Sequence, residues 1–304
     1  MKENKETRIV AVIPAYNEER TIASVILSAE KYVDRVIVCD DGSTDMTGVI
    51  ARRLGAELVR HESKHGYGAA LQSLFKRARA FDADVMVTLD GDGQHDPNEI
   101  PMLVELVLER KADVVIGSRF LGDIEKMNDI PRYRRYGIMV ITKLTKVASK
   151  SRISDAQSGF RAYGRKALKS LRLHENGMGA SVEVLMEAKT KGLTVVEVPT
   201  GCNCHGLKTS THNALGHAAN VVMSIAKLVV EERPLVFLGI PGVMSLLVGI
   251  FFGVWMLRLY AIEQQIITNV ALASISFILI GLFAISTAIT LYSIIRLMEK
   301  ITKQ

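Results

Sequence analysis

From residue 235 to 257 the chain reads LVFLGIPGVMSLLVGIFFGVWML, and from 270 to 292 it reads VALASISFILIGLFAISTAITLY, with no charged residue in either run. Each exceeds the roughly 20 residues a helix needs to cross a bilayer core. In hydrocarbon every backbone N–H and C=O must be bonded within the segment, which confines such runs to helices. Two buried core helices are the alternative, but Arg233, Arg258, Arg296 and Lys300 at the ends of the runs suit a membrane boundary better. The connector carries Arg258 against Glu263, whereas the outer flanks carry Lys227, Arg233, Arg296, Lys300 and Lys303. The positive-inside rule then predicts a cytoplasmic N-terminal domain and a cytoplasmic tail over 293–304.

The N-terminus, MKENKETRIV, is charged and lacks the apolar core of a signal peptide, so export is not expected. Cys39, Cys202 and Cys204 are too few and too oddly placed for a disulfide framework, which points to a reducing compartment. Lys and Arg outnumber Asp and Glu by 38 to 32. That excess fits anionic partners such as nucleotides, lipid phosphates or a membrane surface, and does not single out nucleic acid.

Ahead of the apolar runs, short Val/Ile-rich stretches recur at 8–13, 35–40, 84–90, 113–118 and 194–200. Between them lie helical patterns: TIASVILSAEKY, DGSTDMTGVIARRLG with Ser43 or Thr44 as N-cap and Gly55 as stop, and PNEIPMLVELVLERK after Asp96 as cap. Strands alternating with helices predict an α/β fold, a mostly parallel sheet with helices on both faces. Ligands bind such sheets beyond the carboxyl ends of the strands. The polar clusters fall there: PAYNE (14–18), DDGSTD (40–45), DGDGQHD (90–96) and GSRF (117–120) each follow a strand.

The densest cluster is LDGDGQHDP, 89–97. Like charges this close raise one another's pKa unless a cation neutralises them. Asp90, Asp92 and Gln94 are hard oxygen donors suited to Mg²⁺ or Mn²⁺, which often complete their shell with substrate phosphates. An EF-hand is excluded, because its Gly would fall at His95 and its Glu at Pro101. A metal held by two carboxylates can neutralise a departing diphosphate, and Gly91 and Gly93 allow close approach to the backbone. Asp40 and Asp41 could accept hydrogen bonds from a base or ribose, with Tyr16 or Pro14 against the base. The same DGSTD segment also caps a helix. Neither a P-loop nor a G-x-G-x-x-G follows the first strand. CNCH (202–205) has the wrong spacing for a zinc site, and Cys39 reads as core.

Together, IPAYNE, CDDGSTD, LDGDGQHDP, GSRF and DAQSGFRA resemble family 2 glycosyltransferases of GT-A fold, and most of all the dolichol-phosphate mannose synthase and polyprenyl-phosphate glycosyltransferase branch. The resemblance covers about residues 8–210. It implies a Rossmann-like GT-A domain over 1–211; residues 212–234, small and apolar at helical spacing, are expected to form an amphipathic helix along the membrane interface or else packed on that domain, ahead of the transmembrane helices over 235–257 and 270–292 and the tail. It also implies that Pro14, Tyr16, Glu18, Asp40 and Asp41 hold the nucleotide, and that Asp90, Gly91, Asp92 and Gln94 hold metal and diphosphate. Arg119 would contact the transferring phosphate, Lys208 the diphosphate, and one of Arg132, Arg134 and Arg135 the lipid phosphate. Asp155 is the acid best placed to orient substrate near the reaction centre, or else caps the segment after it.

The expected reaction is metal-dependent, inverting transfer of a sugar from a nucleotide sugar (GDP-mannose, UDP-glucose or UDP-N-acetylglucosamine) to a polyprenyl or dolichyl phosphate. Self-association would widen the footing of a chain with two spans. A processive polysaccharide synthase fits poorly, because its Q-x-x-R-W motif is missing and Trp255, the one tryptophan, lies in a span. An inactive membrane scaffold fits poorly because every metal-binding position is filled.

Overall fold

The computed structural model describes residues 7–121, 153–201, 234–264 and 267–302. The chain divides into two compact units, Met1–Ile225 and Ala226–Gln304.

The first unit is built on a seven-stranded sheet. In chain order its elements are β1 (Ile9–Ala15), α1 (Ile22–Ala29), β2 (Arg35–Asp40), α2 (Thr47–Arg53), β3 (Glu57–Arg60), α3 (Tyr67–Ala80), β4 (Val85–Thr88), α4 (Ile100–Leu108), β5 (Val114–Ser118), β6 (Arg161–Gly164), α5 (Arg165–Ser170), α6 (Ala180–Thr190) and β7 (Val195–Pro199). The strand order is β3-β2-β1-β4-β6-β5-β7. Every pairing is parallel except those of β6, which runs antiparallel to both β4 and β5.

Successive residues of a strand face opposite sides, and here both sides are buried. Val10 and Val12 of β1 enter one apolar cluster with Leu71, Leu74 and Phe75 of α3. Ala11 and Ile13 enter the other with Ile22 and Ile26 of α1 and Leu103 of α4. Two-sided burial is why the strands read as nearly unbroken apolar runs.

Two strands differ from the sequence expectation. β3 is a short, partly exposed edge, and β6 spells RAYG, beginning with an arginine. That Arg161 is buried because its guanidinium donates to three backbone carbonyls, of Ser158 (2.9 Å), Ala156 (2.9 Å) and Ser181 (2.8 Å). The reversal of β6 matters for the site, since it brings the preceding segment, 153–160, to the carboxyl ends of β4 and β5. The helix after β2 starts at Thr47 with no side-chain cap, so the expected Ser43 or Thr44 cap does not form. Gly55 does follow that helix at φ +86°, and Asp96 does cap the turn at Pro97 by accepting from Asn98 N.

The second unit is a helical hairpin: a π-helical turn at Leu235–Gly239, then α7 (Ile240–Glu263) and α8 (Thr268–Thr302). Both helices are long and apolar enough to cross a membrane. Their apolar residues largely face outward, with Phe251 65% and Phe283 73% exposed, unlike core helices of a soluble domain. Small residues let the two backbones approach: a Cβ on Gly281 would stand 2.7 Å from Gly242 O, and Ser274 Oγ donates to Gly249 O at 2.8 Å. The segment expected to form an interfacial helix, 212–234, lies outside the described residues apart from Pro234.

Candidate active site

The loop after β1 is laced to the loop after β2. Asn17 adopts φ +57°, a left-handed conformation that asparagine tolerates, and its N–H donates to Ser43 Oγ at 2.9 Å. Its Oδ1 accepts from Thr44 N at 2.9 Å, and Glu18 N donates to Thr47 Oγ1 at 2.8 Å. The Ser43 hydroxyl expected to cap α2 thus holds the Asn17 amide instead, and Thr47, the first residue of α2, holds that of Glu18.

The adjacent acids Asp40 and Asp41 have different surroundings. Both oxygens of Asp41 are engaged by the next loop: Oδ1 accepts from His65 N (2.9 Å) and lies 2.7 Å from His61 Nδ1, and Oδ2 accepts from Gly66 N (2.8 Å). This fixes the loop that sets the Lys64 ammonium 3.9 Å above the Tyr16 ring. Asp40 is fully buried, and its Oδ1 accepts from Ser43 N at 2.8 Å. Its Oδ2 has no hydrogen-bond partner, and Arg60 Nε stands 3.7 Å away. A Cβ on Gly48 would lie 2.4 Å from that oxygen, so only glycine there leaves room for it. Of the pair, Asp40 is the one that keeps an oxygen without a hydrogen-bond donor.

The acidic turn after β4 is tied to the first loop by Thr21 Oγ1, which donates to Gly91 O at 2.7 Å. Gly93 takes φ +74°, and Asp92 Oδ1 accepts from Gln94 N at 3.0 Å. Asp90 lies against Gly159, where a Cβ would stand 2.5 and 2.6 Å from the two carboxylate oxygens. Behind it His95 is buried, stacked on Phe160 at 5.3 Å, and accepts from Asp90 N at its Nδ1 (3.3 Å). Burial, with a smaller push from Arg119, lowers the His95 pKa to about 4 against the pull of Asp92 and Asp155, so the ring is neutral.

Glu18 reports the field in this corner. Burial first, and then the charges of Asp92, Asp45 and Asp90, raise its pKa to about 7 despite a hydrogen bond from Thr21. Among the described residues no three His, Cys, Asp or Glu side chains form a closed metal cage. An open site of two carboxylates is still what Mg²⁺ or Mn²⁺ uses when substrate phosphates complete the shell. The crowded negative charge around Glu18 fits a cation there.

Across the rim, Arg119 follows β5. Its Nε and Nη2 donate to Asp155 Oδ2 (2.7 Å) and Oδ1 (2.9 Å), a bidentate pair. Burial alone would raise the pKa of the fully buried Asp155, but the Arg119 charge and hydrogen bonds outweigh it and hold the carboxyl below the ordinary range. Asp155 therefore acts on Arg119 and does not face the rim as a free acid. Its backbone N–H is bound by Glu197 of β7, a residue the sequence reading passed over. Gln157 Nε2 is likewise buried without a partner, and nothing in the motif marked it. Lys208, Arg132, Arg134 and Arg135 lie outside the described residues.

A mostly parallel α/β sheet with one reversed strand and an acidic turn at its carboxyl rim is the GT-A type of glycosyltransferase domain. The chain belongs to glycosyl transferase family 2, whose sequence pattern matches residues 10–172. It is 33% identical to a dolichyl-phosphate hexose transferase of Haloferax volcanii, over 74% of this chain and 95% of that one. It is 32% identical to a UDP-N-acetylglucosamine–dolichyl-phosphate N-acetylglucosaminyltransferase of Methanococcus voltae, over 63% and 84%. Among solved structures it resembles glucosyl-3-phosphoglycerate synthase from Mycobacterium tuberculosis in complex with Mn²⁺, UDP and phosphoglyceric acid. That match has a TM-score of 0.58 at 25% identity, covering 74% of this chain and 79% of that one.

Proposed function

We propose that this glycosyltransferase moves a sugar from a nucleotide diphosphate sugar to a polyprenyl phosphate, inverting the anomeric carbon. The observation that carries the reading is the charge gathered at one rim, with the acids Asp90 and Asp92 acting on Glu18 and a half-buried, carboxylate-held Arg119 following β5. The first suits a cation-bound diphosphate leaving group and the second an anionic phosphate nucleophile. The dolichyl-phosphate transferases among its relatives and the UDP and Mn²⁺ in the structural neighbour support it.

Asp40, with its unpartnered Oδ2, accepts from the nucleoside, and Pro14 and Tyr16 flank it. Asp90, Asp92 and Gln94 would hold the metal, with Glu18 beside them. When bound, the metal neutralises the charge that develops on the departing diphosphate. Arg119, fixed by Asp155, holds the acceptor phosphate for in-line attack. A phosphate oxygen bonds to the anomeric carbon as the bond from that carbon to the diphosphate oxygen breaks. A phosphate monoester has a second pKa of about 6, so the nucleophile needs no general base near neutral pH. Two helices long and apolar enough to cross a membrane support an anchor at the bilayer where such lipids reside, and the positive charges outside the two apolar runs favour a cytoplasmic domain and tail.

The test uses membranes containing the full chain, a polyprenyl phosphate, and labelled UDP-glucose, UDP-N-acetylglucosamine and GDP-mannose in turn. One donor is expected to label the organic phase, and chelation of divalent metal to abolish it. No labelled lipid with any donor would refute the proposal.

A further inference from the structure

Glu197 sits in β7 opposite Ile116 of β5 and, by the two-residue period of a strand, shares a face with Val195. Val195 packs on the apolar cluster that contains Val114, Ile116 and Ile153. An acid in an apolar stripe is costly unless its oxygens find donors. Three donors converge on it: Ser154 N reaches Oε2 at 2.7 Å, and Asp155 N and Ser154 Oγ reach Oε1 at 2.9 and 3.1 Å. Ser154 Oγ also lies 2.7 Å from Ser118 Oγ, next to Arg119 in the chain. The two carboxyl oxygens accept from all three, whereas a glutamine would turn its own N–H groups toward one set of donors.

We propose that Glu197 is a positioning residue for sugar transfer, clamping the Ser154–Asp155 backbone so that Asp155 holds Arg119 in its working place. The chain of contacts runs from Glu197 to the Asp155 amide, from the Asp155 carboxylate to the Arg119 guanidinium, and so to the rim. An arginine side chain left to itself spreads over many rotamers. Here one strand-borne acid, through one buried acid, restricts it. The inference rests on reading Arg119 as the phosphate-binding group.

The test is a double-mutant cycle of Glu197→Gln and Arg119→Ala in the full chain, with the sugar donor found active in the panel assay. Glu197→Gln alone should lower kcat/KM for polyprenyl phosphate by about 10- to 100-fold, with little change in the KM for the nucleotide sugar. On top of Arg119→Ala it should cost less than about threefold, because its effect runs through the missing group. Glu197→Asp, which keeps the charge, should recover part of the loss, and it is taken through the same cycle if the Gln variant does not fold. An unchanged kcat/KM in Glu197→Gln, or a loss equally large with and without Arg119, overturns the proposal. Undiminished transfer by Arg119→Ala overturns the reading of Arg119 itself, and the proposal with it.

Discussion

Gly159→Ala isolates the placement of Asp90. The glycine has no positive φ, so alanine fits the backbone there, and the consequence falls on what the new methyl meets. It would meet Asp90 Oδ1 at 2.5 Å, Oδ2 at 2.6 Å and Cγ at 2.9 Å. Non-bonded heavy atoms rest at about 3.5 Å, so the carboxylate must retreat by about 1 Å. A misplacement of that size costs about 100-fold in rate, or about 2.7 kcal/mol of barrier. Initial rates against Mn²⁺ concentration should show a lower kcat and a higher half-saturating metal concentration. Thermal unfolding should shift only by the modest cost of overpacking, about 1–3 kcal/mol. In an Asp90→Ala background, which removes the clashing group, Gly159→Ala should add almost nothing. Wild-type rate and metal dependence in Gly159→Ala alone would refute the placement of Asp90 as a metal ligand.

Asp92→Ala should abolish metal-stimulated transfer, and retention of full metal-dependent activity would sink that assignment. Asp155→Asn removes the buried carboxylate that pairs with the half-buried Arg119, for an expected destabilisation of about 1–3 kcal/mol in chemical denaturation. The pH dependence follows from the lowered Asp155 pKa: its contribution is full above the unfolded value of about 3.9 and is lost as pH falls through the folded value. Wild-type stability should therefore drop in acid, and the drop should be shallower in Asp155→Asn. In the hairpin, Gly281→Leu puts a side chain where a Cβ already stands 2.7 Å from Gly242 O and from Leu246 N. Loosened helix pairing should appear as a lower detergent-solubilised melting temperature.

The parallel strands other than β3, and the two helices long and apolar enough to cross a membrane, were legible because each demands an apolar run that stands out in any reading. β6 was not, since RAYG carries its charge into the core on backbone carbonyls that the chain supplies only once folded. The acidic turn was legible from its charge density. The division of labour between Asp40 and Asp41 was not, because neighbouring residues in a sequence look alike until the loop at His65 and Gly66 closes on one of them. Glu197 was hidden for the same reason: an acid in VVEVP gives no sign that its donors come from a segment far away in sequence. Gly48 and Gly159 were silent too, as the space they leave belongs to Asp40 and Asp90.

The central claim is that a lipid phosphate oxygen attacks the anomeric carbon directly. Mass analysis of the lipid product formed from the active nucleotide sugar and a polyprenyl phosphate of defined length tests it. The account predicts the mass of the polyprenyl phosphate plus one sugar residue, with a single phosphorus and the anomeric configuration opposite to the donor's. A product carrying a second phosphorus would mean transfer of a sugar phosphate, and a retained configuration would mean a different attack. Either would contradict the account.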